Sequence, residues 1–350
     1  MSPQAFLSHL LFAACLLGLS VVLTRFMMQQ VRVMDVPNER SSHRVPTPKS
    51  GGIAIVATFL AGVAAVFLIG EATQIRRDYF LGFVFSALLI AGISFYDDLK
   101  NKPFTVKLAT QLVAVLVVLA FGIVIDQLAL PFLDRQVSLG WWAYPISFLW
   151  ILGLTNAFNF MDGLDGLMGG VAAIVSVFFC IITYSQGSTF VYITCYSLLA
   201  GSLGFLVYNF PPARIFMGDV GSAFLGFTFA VLAIIAARYD HSHTSFLVMP
   251  LLLFNVIYDT FFTFVRRLLR GDRVHEAHRT HLYQLFNQLG YSHRTVSLFH
   301  YGVCAAQGLA AMWMVNIPGS ERTLVFVPFL LFQAIYSWVI IRRARRAGLL

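Results

Sequence analysis

The chain has 350 residues, of which 58% are hydrophobic and only 11% charged. A soluble domain carries roughly 25% charged residues, so this balance excludes an ordinary water-soluble enzyme and fits a protein that crosses a membrane repeatedly. The formal net charge of +8 gathers between the apolar runs, where it reads as topology and not as a nucleic-acid footprint.

In chain order the apolar runs predict eleven spans, at about 5–27, 51–70, 79–96, 107–125, 139–157, 167–185, 189–208, 221–237, 244–265, 297–317 and 323–341. The first has no basic residues before it and no small-residue cleavage site, so it is expected to be a retained helix. Only the string Asn156–Leu167 separates the fifth and sixth spans. Pro211-Pro212 ends any helix between the seventh and eighth. The segment 266–296 is expected to be partly helical and amphipathic. With the amino terminus outside, nineteen of the 24 lysines and arginines fall on the inside, as the positive-inside rule requires. Trp141 and Trp142 then lie at an outer interface. Cys15, Cys180, Cys195 and Cys304 all lie in apolar runs with no CxxC spacing, so neither a disulfide framework nor a zinc site is expected. No internal repeat or second domain is visible. The expected architecture is an all-α polytopic membrane protein forming one integral-membrane domain over 1–350.

This orientation brings four polar clusters to the inner face. Asp97-Asp98 ends the third span, followed by Lys100, Lys102 and Lys107. Adjacent carboxylates on a helix diverge by about 100°, so one can face a metal or nucleophile while the other holds a lysine or amide. A solvated interfacial turn is the plainer alternative. The second cluster places Asn156, Asn159, Asp162 and Asp165 at three-residue spacing, with Gly163 and Gly166 between. Three-residue spacing groups side chains on one helical face, and glycine lets backbone approach a ligand. No cation is adjacent in sequence, which favours a metal or ligand partner over a simple turn.

The third cluster, Gly218-Asp219-Val-Gly221-Ser222, stands at a helix start. That position suits a phosphate or plain N-capping. Phe216 just before it can stack on a base or anchor the interface. The fourth holds His275, His278, Arg279 and His281. Histidine and arginine suit a pyrophosphate; zinc and a solvated amphipathic helix are the other readings. The oxygen-rich clusters suit Mg²⁺ or Mn²⁺ better than zinc. Asp259, inside the ninth span, either pairs with a basic residue or supports the site.

Together these motifs resemble the polyprenyl-phosphate N-acetylhexosamine-1-phosphate transferases. The resemblance runs from Asp35-Val-Pro-Asn38 and Pro46-Thr-Pro-Lys-Ser-Gly51-Gly52 through Asp97-Asp98, Asn159-x-x-Asp162-Gly-x-Asp165-Gly-Leu and Gly218-Asp219-x-Gly221-Ser222 to the histidine segment. It implies transfer of N-acetylhexosamine-1-phosphate from a UDP-N-acetylhexosamine to undecaprenyl phosphate, with UMP released. It implies Mg²⁺, with Mn²⁺ as an alternative, on Asp219 and with Asn159 as a second ligand. Asp97 and Asp98 match the aspartate pair assigned to the lipid phosphate or its deprotonation, and Asp162 is counted with them as catalytic. Asp165 and Phe216 match positions near the uracil. His275, His278, Arg279 and His281 match the part that holds the sugar-nucleotide phosphates and helps select the sugar. Asn156, Asn159 and Lys100 are expected to bind substrate.

The implied setting is the bacterial inner membrane, with the bilayer as partner, no nucleic acid, and a homodimer compatible with it. The histidine segment departs from the muramoyl-pentapeptide branch and looks more like enzymes that start O-antigen or lipopolysaccharide assembly. The sugar would then be GlcNAc or a 6-deoxy sugar such as FucNAc or QuiNAc. The muramoyl-pentapeptide transferases are the alternative within the family. An ion-coupled transporter is the remote one, since its binding residues would lie near the midplane, often with repeated halves.

Overall fold

A computed structural model describes residues 3–31, 33–37, 45–69, 75–100, 104–129, 136–273 and 278–350. Thirteen α-helices follow in order among the described residues: α1 (Pro3–Gln30), α2 (Gly52–Ile69), α3 (Arg77–Lys100), α4 (Phe104–Ala120), α5 (Ala143–Met161), α6 (Leu167–Ser185), α7 (Val191–Asn209), α8 (Gly218–Arg238), α9 (Val248–Leu252), α10 (Phe254–Leu269), α11 (Leu282–Gln288), α12 (His293–Met314) and α13 (Phe326–Arg346). Two short antiparallel pairs complete the described structure. Met34–Asp35 pairs with Thr47–Pro48, and Gln127–Ala129 pairs with Gln136–Ser138.

Among the described residues, six helices are long and apolar enough to cross a membrane: Leu7–Gln30, Arg77–Lys100, Leu167–Ser185, Val191–Asn209, Gly218–Arg238 and Gly319–Arg346. Gly52–Leu68 and Thr105–Ala120 are shorter apolar helices. The protein is therefore an all-α, multi-pass membrane protein. The expected ninth span at 244–265 is not one helix. It divides into α9 and α10 at Leu253, whose ψ of 16° departs from the helical run. Pro250 sits in the first turn of α9, where a missing N–H is tolerated. Neither glycine nor proline occupies the break itself.

Helix α8 forms the middle of the bundle. Its sequence has no polar face beyond the first turn, as a helix surrounded on all sides requires. Phe224, Phe227 and Phe229 are fully buried, and α2, α3 and α5 pack around it. Glycines set the closeness of two of these contacts. A Cβ on Gly52 would collide with the Gly221 backbone, and one on Gly226 would lie 2.6 Å from the Leu154 carbonyl of α5. Small residues let membrane helices approach in this way. The result is that the first turn of α8, with Asp219, is enclosed by the C-terminal ends of α3 and α5 and the start of α4.

Candidate active site

The Asp219 carboxylate organises this end of the bundle. Asn159, on the last turns of α5, donates its amide N–H to Asp219 Oδ1 at 2.6 Å and to Ser222 Oγ at 3.0 Å. The close α5–α8 packing at Gly226 allows this contact. Lys107, one turn into α4, donates to Asn159 Oδ1 at 3.0 Å and also bonds Asp219 Oδ2. Two oxygens from two helices therefore converge on a single cationic group. Asp97 also reaches Asp219 through its side chain.

Asp98 has a different task. It is 6% exposed and accepts from the backbone N–H groups of Asp219 (3.3 Å) and Val220 (3.1 Å). It thus caps α8 from another helix, satisfying donors that a helix start leaves unpaired. Gly218 makes this approach possible. Its φ is +71°, and a Cβ there would lie 2.8 Å from Asp98 Oδ2. Lys49 pairs with the same carboxylate at 3.8 Å. The segment carrying Lys49 is tied in through its backbone. Phe216 N–H donates to Pro48 O at 2.7 Å, and Gly51 N–H donates to Phe216 O at 3.0 Å. Phe216 is half-buried at the edge of the site.

Asp162 follows the end of α5 and is half-buried. Its carboxylate has no hydrogen-bond partner among the described residues. Desolvation, together with the nearby negative charges of Asp219 and Asp98, pushes its pKa up to about 8. Asp165, by contrast, is already engaged. Its Oδ1 pairs with His293 Nδ1 at 3.1 Å, and its Oδ2 accepts from the Ala213 N–H at 3.1 Å. These bonds tie the Asn/Asp string to the Pro-Pro loop and to α12. Tyr301 adds a bond to the Gly166 carbonyl, where Gly166 adopts φ +75° to start α6.

An apolar cavity of about 660 Å³ lies between α5 and α10. Trp150, Gly153, Ile257, Phe261 and Phe264 line its apolar length. Asn159, Arg267, His278 and His281 line its polar end. Phe261 and Phe264 are exposed on the outside of α10. The His278 and His281 rings stack with centroids 4.9 Å apart. His278 Nδ1 lies 3.3 Å from the Thr280 N–H and 3.1 Å from its hydroxyl. Burial, and the neighbouring His281, Arg267 and Arg266, hold its pKa down at about 3. His278 is therefore a neutral imidazole near pH 7, with Nδ1 the acceptor of the Thr280 N–H and Nε2 carrying the proton.

Several expectations change against this geometry. Lys100 does not join the cluster: it is exposed at the end of α3, and Lys107 and Lys49 supply the cations instead. Asn156 lines the cavity but turns its amide to Gln111 Oε1 (2.8 Å) and to the Leu152 carbonyl (2.9 Å) of its own helix. The Arg279 carbonyl accepts from Gln288, which anchors the histidine segment to α11. His275 and Asn38 lie outside the described residues. Sequence reading missed Lys49, Lys107 and His293 as site residues. A lysine inside the Pro46–Gly52 motif was a usable signal for Lys49. No local signal joins His293 to Asp165 across 128 residues.

Residues 80–237 match the family described as Glycosyl transferase family 4. That stretch holds Asp97, Asp98, Asn159, Asp162 and Asp219. The chain is 34% identical over 273 residues to a probable undecaprenyl-phosphate N-acetylglucosaminyl 1-phosphate transferase of Bacillus subtilis (strain 168), covering 78% of this chain and 74% of that one. The chain belongs to the polyprenyl-phosphate N-acetylhexosamine-1-phosphate transferases, within glycosyl transferase family 4. It is accordingly a phosphotransferase. It is also 30% identical over 350 residues to a decaprenyl-phosphate N-acetylglucosaminephosphotransferase of Mycobacterium leprae (strain TN), covering 91% and 83% of the two chains. A phospho-N-acetylmuramoyl-pentapeptide-transferase of Listeria monocytogenes serovar 1/2a is 32% identical over 201 residues, covering 54% and 61%. The matched stretch 80–237 ends before the histidine segment.

Proposed function

We propose that this transferase moves N-acetylhexosamine-1-phosphate from a UDP-N-acetylhexosamine to undecaprenyl phosphate, giving undecaprenyl-diphospho-N-acetylhexosamine and UMP. The observation that carries the reading is the convergence of Asp219, Asn159, Lys107 and Asp162 beside the polar end of a long apolar cavity. A phosphate on a polyprenyl chain needs both features: a charged head site and an apolar trough for the chain. The donor arrives from water and the acceptor from lipid, so the reaction belongs at a membrane boundary.

In this reading an oxygen of the acceptor phosphate attacks the phosphorus that carries the sugar. The bond from that phosphorus to the bridging oxygen breaks, and UMP leaves with that oxygen. Both reactants are anionic, so their repulsion dominates the barrier. Lys107 and Lys49 bring positive charge to the site. Asp162, kept protonated near neutrality, presents a carboxylic acid there and not a further negative charge. His278 offers a neutral Nε2–H to a phosphate oxygen. Asp98 acts through the backbone by holding α8.

The donor set fits Mg²⁺, with Mn²⁺ as the alternative. Asp219 Oδ2 and Asn159 Oδ1 already converge on a cation, the Lys107 ammonium. Magnesium commonly takes one or two protein oxygens and completes its shell with water and substrate phosphates. Bound there, it would supply Lewis-acid neutralisation of the diphosphate.

The finer setting completes the proposal. The chain crosses the bacterial inner membrane with its amino terminus outside and its site on the cytosolic face. The positive-inside distribution and the count of eleven expected spans support this, with α9 and α10 together making the ninth. We place the product at the start of O-antigen, lipopolysaccharide or related surface-polysaccharide assembly. GlcNAc is the first sugar to test, because the relatives covering most of both chains are named for it.

The test is UMP release by purified protein with Mg²⁺, undecaprenyl phosphate and a panel of UDP-HexNAc donors. Release with GlcNAc or a 6-deoxy-HexNAc is the expected result. Release only with the muramoyl-pentapeptide donor would move the protein to the other branch. No UMP from folded protein with any donor would end the proposal.

A further inference from the structure

Asp259 lies in α10 and is 2% exposed. Its carboxylate collects four donors. Oδ1 accepts from His281 Nδ1 at 3.2 Å, from the Leu282 N–H at 2.9 Å and from Thr263 Oγ1 at 3.1 Å; Oδ2 accepts from the Tyr283 N–H at 3.0 Å. Two of these are backbone groups at the start of α11, which would otherwise be buried and unpaired. A carboxylate with this many donors stays ionised and well satisfied in a dry environment. The start of α11 is thereby tied to α10, and the tie includes an imidazole.

A carboxylate can only accept, so the bond to Asp259 requires a proton on His281 Nδ1. Nε2 is then the ring nitrogen available to the cavity that His281 lines. The ring plane is held as well. His281 stacks on His278 and on Phe160, with centroids 4.9 and 6.1 Å away. Tyr283 Oη donates to the Phe160 carbonyl at 2.9 Å. Phe160 adjoins Asn159, so these contacts fix the distance between His281 and the Asp219 cluster. We propose that Asp259 is a positioning residue: it sets the tautomer and orientation of His281 so that Nε2 meets the phosphates of the sugar-nucleotide donor. This rests on the transferase reading above.

The experiment is a double-mutant cycle in the full-length protein, with Asp259→Asn, His281→Gln and both together. Asparagine keeps the shape and one accepting oxygen, but its N–H₂ group can face Nδ1 and reverse the tautomer. Asp259→Asn is expected to lower kcat/KM for the UDP-sugar by about 10–100-fold, as loss of a partner behind a functional imidazole does. KM for undecaprenyl phosphate stays unchanged, and the loss largely disappears in the His281→Gln background. Thr263→Val removes another donor from the same carboxylate and is expected to leave turnover intact. An equal loss in both backgrounds, an equal loss toward both substrates, or no loss would each overturn the proposal.

Ring ¹⁵N shifts of the wild type give a second readout that does not need the Asp259→Asn variant to fold. The His281 signal, assigned by its disappearance in His281→Gln, is expected to report a protonated Nδ1 in the wild type. A neutral ring protonated at Nε2 alone would overturn the proposal. If the wild type released no UMP, the transferase reading would fail, and the ¹⁵N shifts would still decide what Asp259 does to His281.

Discussion

The Lys107 ammonium is bonded to the Asp219 carboxylate across 112 residues of sequence, so the central acid of the site carries its own counter-charge. The same ammonium reaches Asn159. Removing the charge while keeping much of the stem, in Lys107→Met, is expected to lower kcat by about 10²–10³-fold, the usual loss for one group stabilising developing charge. UMP release checks this. Near-normal turnover would remove Lys107 from the chemistry. Asp219→Asn is expected to abolish turnover.

Asp98 is predicted to be a stability residue as much as a functional one. Loss of its cap on α8 in Asp98→Ala should cost about 0.5–2 kcal/mol. A lower unfolding midpoint in detergent would show it, and an unchanged midpoint would refute the capping role.

The raised pKa of Asp162 gives a pH signature. The folded group titrates at about 8, against an ordinary value of 3.8. Between those values the folded state binds the extra proton, so the contribution to stability is full below about pH 4 and is lost as pH rises through 8. Asp162→Asn removes that slope. Its melting temperature should therefore gain on the wild type as pH rises from 4 to 8; parallel curves would contradict the assignment.

His278 predicts the opposite slope. Its folded pKa is about 3, against 6.5, so below pH 6.5 the unfolded chain binds the extra proton. Stability from this group is present above 6.5 and lost as pH falls toward 3. His278→Gln should gain on the wild type as the solution is acidified over that range, followed by the same melting curves.

Gly153 lines the apolar cavity, and a Cβ there meets nothing within 4 Å. Gly153→Leu is expected to raise KM for undecaprenyl phosphate severalfold while leaving KM for the nucleotide sugar unchanged. Equal effects on both would argue that the cavity does not hold the polyprenyl chain.

Much of the site was legible from spacing and residue type. The resemblance implied Mg²⁺ on Asp219 with Asn159 as a second ligand; in the structure both side chains bond the Lys107 ammonium. One of the Asp97-Asp98 carboxylates was expected to face a metal or nucleophile and the other a lysine or amide; Asp98 accepts from the Asp219 and Val220 N–H groups, and Asp97 reaches Asp219. What escaped depends on where helices start and cross. Lys100 and Lys107 are equally plausible in sequence. Only the start of α4 at Phe104 decides that the second faces Asp219. The break at Leu253 carries no glycine or proline, so a window of apolar residues reads straight through it. The Asp165–His293 pair is a product of tertiary packing, and no local pattern announces it. Asp259 was expected to pair with a basic residue or to support the site, and its four donors come from residues up to 24 positions away.

The close passage of Gly52 over Gly221 has a consequence for dissection of the enzyme. It holds the segment that brings Lys49 to Asp98 and pairs its backbone with Phe216. The segment Lys49–Gly52 at the start of α2 therefore packs directly against the Asp98–Asp219 cluster. A fragment trimmed to the matched stretch 80–237 would retain most of the acids and lose Lys49 and Gly52. It would also lose the histidine segment. The smallest unit capable of turnover is therefore expected to include residues on both sides of that stretch, beyond the part most easily recognised.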